Sequence, residues 1–140
     1  MTETKDYTKM EALEAIKIIR GFMPANELKV MVDNMRKEEK QFFFNKSVEI
    51  AEIIKNMPVT YEQDGKGKNA VAYLHYFKGS GDWYITEKDK ETEQLQAFGL
   101  ADLGYGGELG YISIEELVSS GIELDLYFTP KTLGEIEENN

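Results

Sequence analysis

The chain carries one histidine, His75, and no cysteine, so any chemistry must come from carboxylates, hydroxyls and aromatic rings around a single imidazole. His75 lies in an alternating run beside Tyr73 and Tyr76, where an imidazole could move a proton near neutral pH. A lone histidine on an aromatic face also reads as a hydrogen-bonded structural residue. Asp82, Glu87, Asp102, Glu108, Glu123 and Asp125 could offer oxygen ligands to a hard cation such as magnesium. Glu123 and Asp125 stand two apart in an alternating stretch, hence on one face of a strand. No Asp-x-Asp-x-Asp-Gly loop occurs, so spacing singles out no ligand set. The expectation is therefore a solvated acidic face with no metal and no cofactor. A small metal-assisted enzyme built on His75 and these carboxylates is the alternative.

Other reactive patterns are weaker. Without cysteine there are no disulfides, thiolate nucleophiles or zinc–thiolate sites. Ser47, Ser80, Ser113, Ser119 and Ser120 form no Gly-x-Ser-x-Gly elbow. Gly104-Tyr105-Gly106-Gly107 invites a phosphate-binding reading, but no Gly-Lys-Ser/Thr follows and Glu108 would repel phosphate. It reads as a tight turn. No catalytic residue is assigned.

Charge is distributed unevenly. The 140 residues have a net charge of −10. Residues 1–90 hold 15 basic and 15 acidic side chains, whereas residues 91–140 hold 11 acidic ones and only Lys131. The whole excess thus sits in the last third, ending in the acidic tail Glu135 to Asn140. A field of one sign repels nucleic acid and attracts cationic partners. A solubilising face accounts for the same pattern. The residues 1–9 are polar and lack the apolar core of a secretory signal, and no apolar run approaches the roughly 20 residues of a membrane span. A cytoplasmic protein with no membrane partner is expected.

The elements that must position these groups follow from periodicity. Met10, Leu13, Ile16 and Ile19 form a helical stripe closed by Phe22 and Met23. Pro24 to Asn26 reads as a connector in which Asn26 can cap. Leu28, Met31, Val32 and Met35 mark a second helix, and Glu38 to Asn56 a third that Pro58 ends. Phe42, Phe43 and Phe44 cannot all point one way; the expectation is that all three pack internally, with one of them meeting the sheet or a partner as the alternative. Tyr61 to Asn69 reads as a loop.

Strands follow. Ala70 to Phe77 alternates, with Val71, Tyr73, His75 and Phe77 on one face and Ala72, Leu74 and Tyr76 on the other. A turn at Lys78 to Gly81 leads into Asp82 to Glu87, making a hairpin. Leu95 to Asp102 and Leu109 to Ile112 are further strands. Ser113 with Glu116 has capping-box spacing for a short helix that Gly121 ends. Ile122 to Phe128 alternates most cleanly of all, and Thr129-Pro130 suits the start of a last helical turn with Leu133 and Ile136 inward. The fold class is α+β: about three N-terminal helices over residues 1–57, then a mostly antiparallel sheet with one or two short helices over residues 58–140.

Several segments carry a resemblance: Asp82-Trp83-Tyr84-Ile85-Thr86-Glu87, Ala97-Phe98-Gly99-Leu100, Glu108-Leu109-Gly110-Tyr111 through Leu117, and Leu124 through Phe128-Thr129-Pro130-Lys131-Thr132-Leu133. Over roughly Met57 to Ile136 the chain resembles the bacterial family termed domain of unknown function 2958. The resemblance implies an origin on plasmids, phages or conjugative elements, near anti-restriction and transfer genes. It implies no reaction and no catalytic residues. Taken with the charge, it leads to an expected non-enzymatic acidic binding protein, an anti-CRISPR or anti-restriction inhibitor engaging the basic nucleic-acid-binding surface of a host nuclease or CRISPR effector. The expected contact residues are Glu87, Asp102, Glu108, Glu115, Glu116, Glu123 and Asp125, with Trp83, Tyr105 and Tyr111 as aromatic surface candidates. A third expectation is an accessory subunit, or a homodimer, docking through the N-terminal helices.

Overall fold

The computed structural model describes residues 5–139, so the start of the polar N-terminal stretch and Asn140 of the acidic tail lie outside the described residues. Thr8 starts α1 (Lys9–Ile19): its hydroxyl accepts the Glu11 N–H at 3.1 Å and the Glu11 carboxylate accepts the Thr8 N–H at 3.0 Å. A single tight turn, Arg20–Phe22, leads to Pro24, which stands directly before α2 (Ala25–Asn34). The helix thus begins one residue before Asn26, which sits inside its first turn and does not cap it. Helix α3 (Lys40–Asn56) stops before Pro58 as its sequence requires. Its last carbonyls are met by a cation from far along the chain, Lys88, whose Nζ donates to the Ile54 carbonyl at 2.6 Å.

Strands β1 (Val71–Ala72), β2 (Leu74–Lys78), β3 (Gly81–Glu87), β4 (Ala97–Asp102) and β5 (Gly107–Ile112) precede α4 (Ile114–Ser119). Then come β6 (Glu123–Leu124), β7 (Lys131–Thr132) and α5 (Leu133–Glu138). The main sheet is antiparallel with order β5-β4-β3-β2-β6, and β1 pairs with β7 in a separate two-stranded ribbon. The fold class is α+β, as the periodicity implied.

Register assigns each strand residue a side. Leu74 opposite Ile85, Tyr76 opposite Trp83, Ile85 opposite Gly99 and Ala97 opposite Ile112 face the helices. They join Ala12, Ile16, Ile19, Met31, Phe44, Ile50 and Ile54 in one core. The Tyr76 hydroxyl, fully buried there, donates to the Phe22 carbonyl. Helices and sheet therefore share a core across residue 57. The other side carries His75 opposite Tyr84, Asp82 opposite Asp102, Leu100 opposite Leu109 and Phe98 opposite Tyr111. A smaller cluster of Ala70, Ala72, Tyr84, Leu133 and Ile136 covers part of it. No helix among the described residues is long and apolar enough to cross a membrane.

Several expectations about the strands and the last helix are corrected. Ala70 to Phe77 is not one strand: the chain breaks at Tyr73, so Ala72 enters the smaller cluster while Leu74 and Tyr76 enter the larger. Ile122 to Phe128 keeps strand structure only at Glu123–Leu124. There the Asp125 carboxylate accepts the Tyr127 N–H at 2.9 Å, a local turn that outcompetes pairing. The last helix starts from Thr132, not Thr129-Pro130, because Thr132 and Glu135 form a reciprocal capping box. The strand expected from Leu95 begins at Ala97, and Gly107, read as loop, belongs to β5. Ser113 caps α4 by accepting the Glu116 N–H at 3.1 Å, and Gly121 follows with φ +74°.

Candidate functional site

The side of the sheet away from the helices holds two polar constellations. The first is centred on His75. Strand β2 presents its ring between Asp82 of β3 and Asp125 beyond β6: Nε2 lies 2.7 Å from Asp82 Oδ1 and Nδ1 lies 2.9 Å from Asp125 Oδ2. A neutral imidazole can donate from only one nitrogen, so both contacts are hydrogen bonds together only when the ring or a carboxyl carries an additional proton. The ring stacks on Tyr84 at 4.5 Å with planes 7° apart, and Phe77 and Phe128 flank it. Its side chain is 14% exposed. With both nitrogens engaged, proton transfer to a substrate would require breaking one of these bonds. Geometry of this kind ties β2, β3 and the chain after β6 together.

A second constellation surrounds Glu87. A β-bulge between Ile85 and Glu87 inserts Thr86 as an extra residue, so Glu87, not Thr86, stands opposite Phe98. Regular pairing would have aimed Glu87 into the helix-side core. The bulge turns it to the other side, where it is buried, at 3% exposure. Its Oε1 accepts the backbone N–H of Tyr61 at 3.1 Å and of Gln63 at 3.4 Å, while Oε2 meets the Thr86 hydroxyl. Those contacts offset the cost of burying a carboxylate and hold the 58–69 segment over the sheet. Gln63 is spent in the same way: its amide donates to the carbonyls of Val71 and Thr86, both at 2.8 Å, and its oxygen accepts the Val71 N–H at 2.7 Å. Tyr61 has φ +82°, unusual for a bulky residue, and its hydroxyl meets that of Tyr111. A cavity of about 350 Å³ opens here, lined by Tyr61, Asp64, Glu87, Phe98, Leu109 and Leu133 among others. It adjoins a second hollow of about 600 Å³ that shares Gly67, Leu109 and Leu133 with it.

The expected contact residues separate. Glu87 is corrected from surface to interior. Glu108 stands exposed on β5 and Glu123 on β6, which are opposite edges of the sheet. Glu115 and Glu116 are exposed on α4. Asp102 is half-buried opposite Asp82 and accepts the Gly104 N–H at 2.8 Å. Asp125 is committed to His75 and the Tyr127 turn. Among the aromatic candidates, Tyr105 is 97% and Tyr111 57% exposed, whereas Trp83 is half-buried against the helix-side core. The described residues hold no group of three or more His, Cys, Asp or Glu side chains arranged to bind a metal.

Four participants carry no signal in the sequence. Tyr61, Gln63 and Asp64 lie in a segment whose polar composition says only loop; no spacing rule links them to Glu87 across the bulge. Glu27, on α2, reaches across to accept the Leu124 N–H at 2.8 Å. Burial first, and then the charges of Glu123 and Asp125, push its carboxyl up to about 7, against the lowering effect of that hydrogen bond. An acid on the margin of a helical stripe gave no sign of this.

The model of one family matches residues 45–134, which takes in the end of α3, the whole main sheet, the bulge and both constellations. The chain belongs to the family described as protein of unknown function (DUF2958). No curated protein and no solved structure matches the chain. The DUF2958 region includes His75, Asp82, Glu87 and Asp125, and leaves α1 and α2 outside it.

Proposed function

We propose that this DUF2958 protein is a non-enzymatic binding protein whose acidic C-terminal part engages a positively charged surface on a partner protein. One observation carries the reading. Of the acidic side chains beyond residue 90, Glu137 meets Lys68 and Asp125 meets His75; the rest make no ion pair among the described residues. No lysine of α1–α3 forms an ion pair with them among the described residues, although Lys46 Nζ lies 5.6 Å from the Tyr127 ring centroid. Lys17, Lys29, Lys46 and Lys55 each pair within their own helix, three or four residues away. A surplus left unneutralised by its own chain steers association with a cationic partner and repels phosphate backbones. Carboxylates on β5, α4 and β6 surround the sheet and do not form one flat patch, which favours a partner that embraces this half of the molecule.

A protein that binds nucleic acid has such a surface, and an acidic protein can occupy it in place of the phosphates. The finer proposal is thus inhibition of a host nuclease or CRISPR effector by a mobile-element protein. Candidate host nucleases mixed with the protein at low and high salt test it. A complex that forms at low salt and weakens steeply as salt rises supports the reading; absence of a salt-sensitive complex with every candidate overturns it. The second reading, a small enzyme on His75 and its carboxylates, is favoured by the convergence of Asp82 and Asp125 on the ring. It is disfavoured by both ring nitrogens being occupied.

A further inference from the structure

We propose that the cavity beside Glu87 receives an organic cation on an alkyl stem, the guanidinium or ammonium of an arginine or lysine side chain. The proposal rests on the binding-protein reading above only for the source of that side chain; the site itself stands on its lining.

The polar side chains of the wall offer one kind of capacity. Both ends of the Gln63 amide are taken by backbone groups, and the Thr86 hydroxyl lies against Glu87 and the Phe98 carbonyl. The Tyr61 hydroxyl is against Tyr111. Beyond the spare capacity of that hydroxyl pair, what remains is carboxylate. A carboxylate offers about four acceptor positions, and Glu87 uses two on Oε1 and one on Oε2, so one position on Oε2 is free. Asp64 lines the same cavity and makes no side-chain hydrogen bond or ion pair among the described residues. Among the described residues no lysine, arginine or histidine lines it. The nearby Lys68 lines the adjoining hollow and is paired with Glu137 at 3.3 Å.

The remainder of the wall is apolar: Ala70, Phe98, Leu109 and Leu133, with the exposed ring of Tyr61. Such a wall suits a methylene stem, and aromatic rings attract a cation that comes over their faces. Anions are repelled by the same carboxylates, and a purely apolar ligand would leave the free position of buried Glu87 facing hydrocarbon. A buried carboxylate with no cation of its own, lining a preformed hollow, thus selects a donor that brings positive charge and an alkyl stem together.

The test uses the full chain, isotope-labelled, and follows the backbone amide signals of Gly65, Gly67 and Thr86 by NMR. Three probes are titrated: the tripeptide acetyl-Gly-Arg-Gly-amide, agmatine as a free guanidinium, and acetyl-Gly-Gln-Gly-amide as a neutral control. Saturable shifts with the arginine peptide and agmatine, and none with the glutamine peptide, support the site. Tighter binding of the peptide than of agmatine assigns the cation to a polypeptide; the reverse order assigns it to a small diffusible amine. Glu87→Gln would also loosen the 58–69 segment that Glu87 holds, so the decisive variants are Asp64→Asn and Leu109→Trp, both at exposed positions. Asp64→Asn is expected to weaken the arginine probe at least about 3-fold, as loss of a charge partner does, and Leu109→Trp to abolish the shifts by filling the mouth. Equal response to the glutamine peptide, no saturable shift at millimolar probe, or indifference to both variants overturns the proposal. If a nuclease complex forms with full salt sensitivity and Leu109→Trp leaves it unchanged, the cavity is not used by that partner and only the acidic-surface reading stands.

Discussion

Strands β2 to β5 supply both sides of one sheet from alternating residues, yet the two sides are built on different physics. Toward the helices, Leu74, Tyr76, Ile85 and Ala97 are each no more than 4% exposed and meet apolar side chains of α1 and α3. On the opposite side, His75, Asp82, Glu87 and Asp102 alternate with Tyr84, Phe98, Leu100 and Leu109, and α5, the β1–β7 ribbon and the 58–69 segment cover them only in part. The helix side can hold the fold by burial alone. The open side must hold itself by directed bonds, such as those of His75 and Glu87, and these leave hollows between them. The contrast shows where stability and binding are each lodged: a side that carries the fold cannot vary much, whereas a partly covered side can specialise.

Substitutions test that contrast. Ile85→Ala, on the helix side, is expected to destabilise by about 4 kcal/mol in denaturant titration, as deletion of a fully buried aliphatic group does. A loss below about 1 kcal/mol would mean that the helix side is not the main source of stability. Gly99→Ala comes next. A Cβ there would fall 2.0 Å from the Tyr84 carbonyl oxygen and 3.0 Å from the Ile85 Cα, both backbone atoms that cannot swing away. The central β3–β4 pair must then shift, at a cost of about 3 kcal/mol. A thermal scan resolves it.

The third prediction concerns pH. Glu27 is held near 7 in the folded chain against an ordinary value of 4.5, so the folded state binds that proton more tightly than the unfolded state. Stability contributed by this group is therefore present below about 4.5 and is lost as pH rises toward 7. Glu27→Gln retains an acceptor for the Leu124 N–H and removes the charge. It should stabilise by about 2 kcal/mol at pH 8 and change little at pH 4, read from urea midpoints at the two pH values. A gain that is equal at both would place the effect in packing instead. The smallest change is expected on the open side: Leu109→Ala, at a side chain 52% exposed, should cost less than about 1 kcal/mol. A cost like that of Ile85→Ala would erase the distinction between the two sides.

Local signals in the sequence hold where one residue suffices. Pro58 ends α3, Gly121 ends α4 and Ser113 caps it, because φ restriction, a left-handed backbone and a hydroxyl acceptor act within a few residues. Alternation misled at Ile122 to Phe128, where the apolar pattern is real but Asp125 closes a turn on Tyr127 instead of extending the strand. It misled again at Tyr73, where one strand in sequence becomes parts of two sheets. Of the site, His75, Asp82, Asp125 and Glu87 were already candidates by type. Their grouping was hidden, since Asp125 is 50 residues from His75, and the direction of Glu87 depends on the bulge at Thr86. Phe44 is buried, Phe43 half-buried and Phe42 41% exposed near Tyr127, so the three rings diverge, and the expectation that all three pack internally fails at Phe42.

Composition and periodicity alone determined the α+β class, the helices-then-strands order, the terminators and the confinement of the negative excess to residues 91–140, because each depends on residue type and near-neighbour spacing. Only the tertiary structure decided which acids meet one another, which remain without a lysine, and that a carboxylate lies buried beside an open cavity. Those outcomes depend on register, a single inserted residue and the crossing of segments distant in the chain, and a carboxylate has the same identity in the sequence whether it ends in water or beneath a loop.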